Sequence, residues 1–183
     1  MTKRFGGIFL LILLSGLWTL GHGASLYFKA KAASFRPNDK VFREIYGSGI
    51  CYGGEIDLGL TSNIYLWAGI DYFSKKGKLT FTGEETKIQN IPISAGIGYR
   101  FHLGLINPYV GGGLGYFNYK ETSPLGTVKE GHVGFMGQGG VLLVQGPFLL
   151  DFQAGYSYCK VKPAEVEANL GGLSLALGLG FKF

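Results

Sequence analysis

The segment that most limits what this chain can fold into is its last, residues 170–183. From Leu173 onward every odd-numbered residue is large and apolar, and every even-numbered residue is small or polar. The odd row is Leu173, Leu175, Leu177, Leu179, Phe181 and Phe183. Because side chains alternate between the two faces of a β-strand, this pattern predicts a strand with one apolar face. At about 3.3 Å per residue, the strand is long enough to cross a bilayer at a tilt.

The composition favours a strand-rich membrane protein. Of the 183 residues only 16% are charged, 15% are aromatic and 32 are glycines, whereas soluble domains carry about 25% charged residues. No run of 18 apolar residues occurs after position 24, which argues against membrane-spanning helices. The length predicts one domain.

The N-terminus has the features of a secretory signal peptide: two basic residues, an apolar core at 8–14 and small residues at 21–23. We expect residues 1–23 to be removed, which leaves 24–183 as the barrel domain. The alternative, a retained anchor, is disfavoured because the apolar core is short. Removal takes away two of the 17 basic residues. The remaining positive excess is too small and scattered to predict nucleic-acid binding.

Eight alternating segments follow the signal peptide. Their predicted bounds are 25–35, 49–60, 64–75, 88–101, 108–119, 132–144, 148–160 and 169–183. The connections after the first, third, fifth and seventh segments are long and charged, and the others are short. Long loops on one side and short turns on the other are typical of an all-β, antiparallel up-and-down transmembrane barrel.

The direction of the apolar rows distinguishes a membrane barrel from a soluble, lipocalin-like barrel, whose apolar row faces inward. With strands running alternately up and down, the aromatic residues of these rows form two belts. Near the short turns are Phe28, Tyr99, Phe101, Phe148, Phe181 and Phe183, and near the long loops are Tyr52, Tyr72, Tyr116, Phe135, Tyr156 and Tyr158. Mainly aliphatic residues lie between them, apart from Phe152. Two aromatic belts around an aliphatic band are typical of a lipid-facing surface, so we expect the polar row inside.

The polar row predicts a charged network in the lumen. Its members are Lys29, Lys31, Glu55, Asp57, Asp71, Arg100, Gln138, Asp151, Gln153 and Lys182. We expect Lys29 opposite Glu55 and Lys182 beside Asp151. Eight strands leave an interior that side chains can fill, and buried charges must pair or keep water. We therefore predict a polar plug, with an ion or proton path as the alternative.

Catalytic patterns are weak in this sequence. The best candidate combines His132 with Ser123 or Glu130, at the outer rim of the sixth segment, and it lacks the spacing of a known motif. We expect no enzymatic activity, no cofactor and no metal site.

The first long loop predicts a short helix. Asn38 or Asp39 would cap it, and one side would carry Val41, Phe42, Ile45 and Tyr46. We expect these residues to form a lid on the barrel mouth. An exposed patch for a partner or ligand is the alternative.

The two cysteines, Cys51 and Cys159, lie near the loop ends of the second and seventh segments. An exported protein favours a disulfide. Strand order opposes it, because the first and eighth strands separate them by about 14 Å along the wall, beyond the roughly 7 Å limit for a bridge. We predict free thiols.

The mature chain resembles the small outer-membrane β-barrel families typified by the OmpA transmembrane domain and OmpX. The resemblance rests on the signal peptide, the eight alternating segments and Phe183 at the end of an apolar row. It implies a monomer in the bacterial outer membrane, surrounded by lipid bilayer and lipopolysaccharide. It also implies that Phe181 and Phe183 form the signal read by the outer-membrane assembly machinery.

Such families have diverse functions. We expect a non-enzymatic barrel that acts through its outer loops on a surface partner or as a structural element of the membrane. The alternative is a transporter or narrow channel for a small or apolar solute.

Overall fold

The barrel wall consists of eight long strands. A computed structural model describes residues 25–78, 83–124, 126–161 and 168–183, so the predicted signal peptide lies outside the described residues. The wall strands are β1 Leu26–Pro37, β2 Gly49–Gly59, β3 Ile64–Lys78, β4 Glu85–Arg100, β5 Ile106–Ser123, β6 Gly126–Gln145, β7 Phe148–Tyr158 and β10 Gly172–Lys182. Helix α1, Lys40–Tyr46, follows β1, and the short strands β8, Lys160–Val161, and β9, Ala168–Asn169, pair with each other beside the wall.

The wall closes on itself in the order β1-β10-β7-β6-β5-β4-β3-β2, and each neighbouring pair is antiparallel. Apart from the closing β1–β10 pair, adjacent wall strands are also consecutive wall strands along the chain, with only β8 and β9 inserted between β7 and β10. The predicted eight-stranded up-and-down barrel is confirmed. No helix in the described ranges is long and apolar enough to cross a membrane.

The apolar rows face outward and the polar rows face the lumen. Leu177 and Leu179 are 50% and 65% exposed, whereas Glu55 and Asp57 are 2% and 0% exposed. This burial excludes the inward-facing apolar row of a lipocalin-like barrel. The predicted belts are present at both ends: Tyr52 lies opposite Tyr72 at the loop end, and ring pairs such as Phe28–Phe183, 5.7 Å between centroids, lie at the turn end.

Two predicted loops are strands in the structure. The β5–β6 ladder continues to Ser123 opposite Gly126, and the β3–β4 ladder continues to Lys78 opposite Glu85. The predicted bounds ended these strands where apolar alternation ends, although the sequence of residues 75–87 also indicated that β3 and β4 continue outward. Beyond the aromatic belt, however, a strand no longer needs an apolar face, because its ladder hydrogen bonds form equally well there.

The predicted seventh and eighth strands are each interrupted near the mouth. The side chain of Asn169 accepts hydrogen bonds from the backbone N–H groups of Cys159 at 3.0 Å and Gly171 at 2.9 Å. These bonds replace ladder pairs, since Asn and Asp side chains readily bond nearby backbone groups. As a result β9 leaves the wall and Leu170 turns inward, where it is buried.

Candidate functional site: the charged lumen and its cap

Lys29 on β1 is the centre of a charged cluster inside the barrel. Its Nζ lies 2.5 Å from Glu55 Oε1, 3.1 Å from Asp57 Oδ2 and 3.2 Å from Asp151 Oδ2. Lys29 is directly opposite Glu55 in the β1–β2 ladder, as predicted. A buried ammonium group needs opposite charge and hydrogen-bond acceptors, and here three carboxylates supply both.

Lys31 forms a second layer toward the loop end. Its Nζ lies 3.1 Å from Glu55 Oε2 and 3.5 Å from Asp71 Oδ1. Gln138 and Gln153 each donate a hydrogen bond of 3.3 Å to Glu55. Glu55 therefore accepts bonds from side chains on three other strands, and the layer extends across the lumen.

Arg100 closes the cluster toward the turn end. Its Nη2 donates to Asp57 Oδ2 at 2.6 Å, and its guanidinium carbon lies 4.3 Å and 4.5 Å from the ring centroids of Tyr27 and Tyr65. These distances are within the range of cation–π attraction. All predicted lumen residues except Lys182 are thus joined by contacts.

Lys182 is not beside Asp151, so that expectation was wrong. Asp151 lies opposite Gly178 in the β7–β10 ladder, whereas Lys182 is four residues further along and exposed at the turn end. Its Nζ lies 5.8 Å from the ring centroid of Tyr27. Two residues on neighbouring strands meet only if the register pairs them. The sequence alone did not give the register between β7 and β10.

The polar network predicted from the sequence did not include Tyr109, although it belongs to this site. The Tyr109 hydroxyl donates to Asp151 Oδ1 at 2.8 Å. Tyr109 lies opposite Gly140, and Tyr65 lies opposite Gly98, in their ladders. A Cβ on Gly98 would collide with the Tyr65 ring, so the glycine provides the space for it. An inward aromatic opposite a glycine is a usable signal once the register is known.

Helix α1 covers the barrel mouth. Asp39 is its N-cap and accepts from the Phe42 N–H at 2.9 Å, as Asn or Asp at that position predicts. Phe42 and Tyr46 are buried, Ile45 packs against them, and Val41 is 59% exposed. The predicted lid is therefore present, but Val41 points to the outside, because it precedes Phe42 by one position, about 100° around the helix.

Tyr46 fastens the helix to the wall. Its hydroxyl lies 3.0 Å from Thr86 Oγ1 and donates to Glu121 Oε1 at 2.5 Å. Burial and this bond to Glu121 raise the pKa of the Tyr46 hydroxyl, so it stays protonated as a donor. At Gly77 on β3 a Cβ would collide with the backbone of Ile45, so glycine allows the helix to lie directly against the strand.

Asp39 also joins the first loop to the last. Its second carboxylate oxygen accepts from the Asn169 N–H at 3.2 Å, while the first caps α1. Both loops contribute to one apolar cluster. Its buried members are Phe35, Phe42, Tyr46, Cys51, Phe73, Ile88, Phe117, Tyr119, Cys159, Val161 and Leu170. We call this cluster the cap.

A small cavity of about 50 Å³ lies between the cap and the charged cluster, with Lys31, Asp71 and Asn90 among its lining residues. Asn90 is 3% exposed, and its side-chain oxygen has no protein partner in the described part of the chain. This volume suits a few water molecules and is far below the roughly 300 Å³ at which ligand pockets begin.

Cys51 and Cys159 are buried in the cap as separate thiols. Strands β1 and β10 lie between their strands in the barrel order. We predict that alkylation of the unfolded, unreduced protein adds two labels per chain, measured by mass spectrometry. A chain that takes up no label and is lighter by two hydrogens would contain the disulfide instead.

Of the candidate catalytic residues, His132 contacts Glu130 but not Ser123. His132 Nε2 lies 2.9 Å from Glu130 Oε2, and the hydrogen bond to His132 lowers the pKa of Glu130. Ser123, however, lies opposite Gly126 at the hairpin end, whereas His132 lies opposite Phe117, six residues away along β5. That separation is about 20 Å. Within the ranges described, no cluster of three or more His, Cys, Asp or Glu residues could hold a metal.

Comparisons with known proteins agree with this architecture. No family model and no curated protein matches the sequence. Among solved structures, the chain is similar to the outer membrane protein OprG from Pseudomonas aeruginosa, at 13% identity with a TM-score of 0.69, covering 87% of this chain and 96% of that one.

Two further structures are similar to this chain. Neisserial surface protein A matches at 22% identity with a TM-score of 0.59, covering 88% of this chain and 100% of that one. The N-terminal β-barrel domain of Pseudomonas aeruginosa OprF matches at 17% identity with a TM-score of 0.56, covering 87% and 97%. The chain has the fold of the eight-stranded outer-membrane barrels.

Proposed function

We propose that this chain is a non-enzymatic barrel of a bacterial outer membrane, closed by a polar plug, that acts through its long-loop end or as a structural element of the membrane. The observation that carries the proposal is the cluster around Lys29, whose paired charges extend across the lumen. The capped mouth supports it, because the outer side of α1 presents Val41 and Glu44 to the surroundings. A surface partner would meet this side.

The membrane placement has two consequences. The outward apolar row would contact lipid, with lipopolysaccharide around the long-loop end. Phe181 and Phe183 are 49% and 75% exposed at the turn end, which would leave them accessible to the assembly machinery. No oligomer is needed to close the sheet, because one chain forms the whole wall.

Planar-bilayer recordings test the plug. We expect no stable conductance of the size that wide porins show, because side chains fill an eight-stranded lumen. The variant Lys31→Ala/Gln153→Ala, which removes two plug side chains, should conduct more than the native protein. Lys182→Ala at the rim should not. Large, stable openings of the native protein would contradict the plug.

Transport of a small apolar solute is a second candidate, and one observation favours it. The β3–β4 ladder passes from the pair Ile70–Ile93 directly to Phe73–Asn90, and Pro92 lies in the unpaired step. Proline has no N–H to donate there. Pro92 also lines the small cavity, so an apolar solute could leave sideways into lipid. Uptake of such a solute by vesicles that show no ion conductance would support transport over the structural role.

A further inference from the structure

A row of lysines crosses the outside of the barrel beyond the loop-end aromatic belt. Lys76 lies opposite Lys87 in the β3–β4 ladder, and Lys120 lies opposite Lys129 in the β5–β6 ladder. In the β4–β5 ladder Lys120 faces Gln89, two residues from Lys87. These four lysines, which we call the lysine row, therefore follow one another across four adjacent strands. Each lies on the outward face, in the same alternation as the apolar row.

Like charges directly opposite each other on paired strands destabilise a sheet, and here two such pairs are adjacent. In the part of the chain that the structure describes, the only carboxylate within 4.0 Å of these four ammonium groups is Glu85, at 4.0 Å from Lys76. The acids next to the other lysines are engaged elsewhere. Glu121 accepts from Tyr46, and Glu130 is bonded to His132 and Tyr119. The row therefore concentrates positive charge that an external anion would neutralise.

The height of the row identifies the anion as part of a lipid. Lys76 and Lys120 each lie four residues beyond a belt tyrosine, Tyr72 and Tyr116, on the same strand face. Four residues span about 13 Å along a strand, or about 10 Å along the membrane normal at a 40° tilt. The lipid headgroup region begins at the belt and is several ångströms thick. The ammonium groups can thus reach headgroup phosphates.

An open groove of about 420 Å³ lies within the row, and Gln89, Asn118, Lys120 and Lys129 are among the residues that line it. Glu130 also lines the groove, and its carboxylate is bonded to His132 and Tyr119. The Gln89 amide also donates to the Tyr72 hydroxyl at 3.0 Å, which joins the groove to the aromatic belt. Two ammonium groups beside amide groups are suitable donors for a phosphate.

The two lysine pairs are separated by two strand spacings across the sheet and by two residues along the strands, which together make about 12 Å. One headgroup with two phosphates can engage both pairs, whereas a phospholipid with a single phosphate can engage only one. We propose that the lysine row binds the phosphate groups of a diphosphorylated glycolipid of the lipopolysaccharide type, with one phosphate between Lys120 and Lys129. This proposal rests on the outer-membrane placement proposed above.

The test uses the full mature chain folded in neutral phosphatidylcholine vesicles, with fluorescent diphosphoryl lipid A as the probe. The variant Lys120→Gln/Lys129→Gln should bind the probe about tenfold more weakly, since each lysine at a membrane surface contributes measurably to anion binding. The control Lys40→Gln/Lys182→Gln removes the same charge from exposed sites off the row and should bind within about twofold of the native protein.

A stability measurement separates lost binding from misfolding. Without lipid A, the row variant should unfold at a urea concentration equal to or above that of the native protein, because a repulsive pair has been removed. An equal loss of binding in both variants, no loss in either, or equal affinity for dephosphorylated lipid A or phosphatidylglycerol would overturn the proposal. If the membrane placement itself were wrong, a separate experiment would show it: an arginine substitution in the outward apolar row would leave the stability of the protein in vesicles unchanged.

Discussion

Replacing Lys29 with methionine is expected to lower the free energy of unfolding by about 3–5 kcal/mol, because it leaves buried carboxylates without their counter-charge. Glu55, Asp57 and Asp151 all lie within 3.2 Å of the Lys29 ammonium group. Methionine fills similar space, so the loss reports charge rather than a cavity. Urea unfolding of the barrel in lipid vesicles measures it.

Two further variants define the origin of that loss. Lys182→Met removes an exposed lysine at the rim and should change stability by no more than about 0.5 kcal/mol. Lys29→Met/Glu55→Gln removes a charge pair and should recover part of the loss, which a double-mutant cycle quantifies. Equal effects of Lys29→Met and Lys182→Met would show that the cluster contributes no stability.

The period of the sequence predicted the wall and its orientation well. Alternation assigns each residue to a face regardless of register, so the lipid-facing row that contains Leu177 and the lumen row that contains Glu55 could both be identified. Even one cross-strand pair, Lys29 with Glu55, could be predicted, because a first loop centred near Phe42 places these two residues opposite each other.

The remaining contacts could not be predicted, because they depend on strand register and on how the loops pack. Lys182 was misplaced because its distance from Asp151 depends on the register between β10 and β7. The inward row of β10 consists of small residues from Ser174 to Gly180, which do not specify that register. The hydrogen bond from Tyr109 to Asp151 was not predicted for the same reason, since Tyr109 reaches Asp151 only because Gly140 lies opposite it. The lysine row is likewise visible only after pairing, because its members are far apart in sequence.

The two contacts of Asp39 show a different limit of prediction from sequence. A cap at that position is a local signal and was predicted, with Asn38 as the other choice. Its second contact, to the Asn169 N–H, joins residues 130 positions apart, and no local pattern encodes it. Contacts between loops depend on the finished barrel, which brings their ends together.

Leu177→Arg is expected to cost about 2–4 kcal/mol of stability in a bilayer, because it places a charge at the midplane of the lipid-facing surface. Leu177 is 50% exposed and lies opposite Ala32 and Phe152, midway between the two aromatic belts. Its side chain has no route to water except along the strand. Urea unfolding in vesicles measures the loss.

Leu173→Arg is the matched control on the same strand. Leu173 is 46% exposed, much like Leu177, but it lies opposite Tyr156 in the loop-end belt, where arginine reaches the headgroups and should cost only about 0–1 kcal/mol. A loss of stability that depends on depth in the membrane rather than on side-chain exposure indicates a bilayer. A soluble barrel would tolerate both substitutions equally. If the two variants are equally stable in vesicles, the outward row does not face lipid, and the membrane placement is wrong.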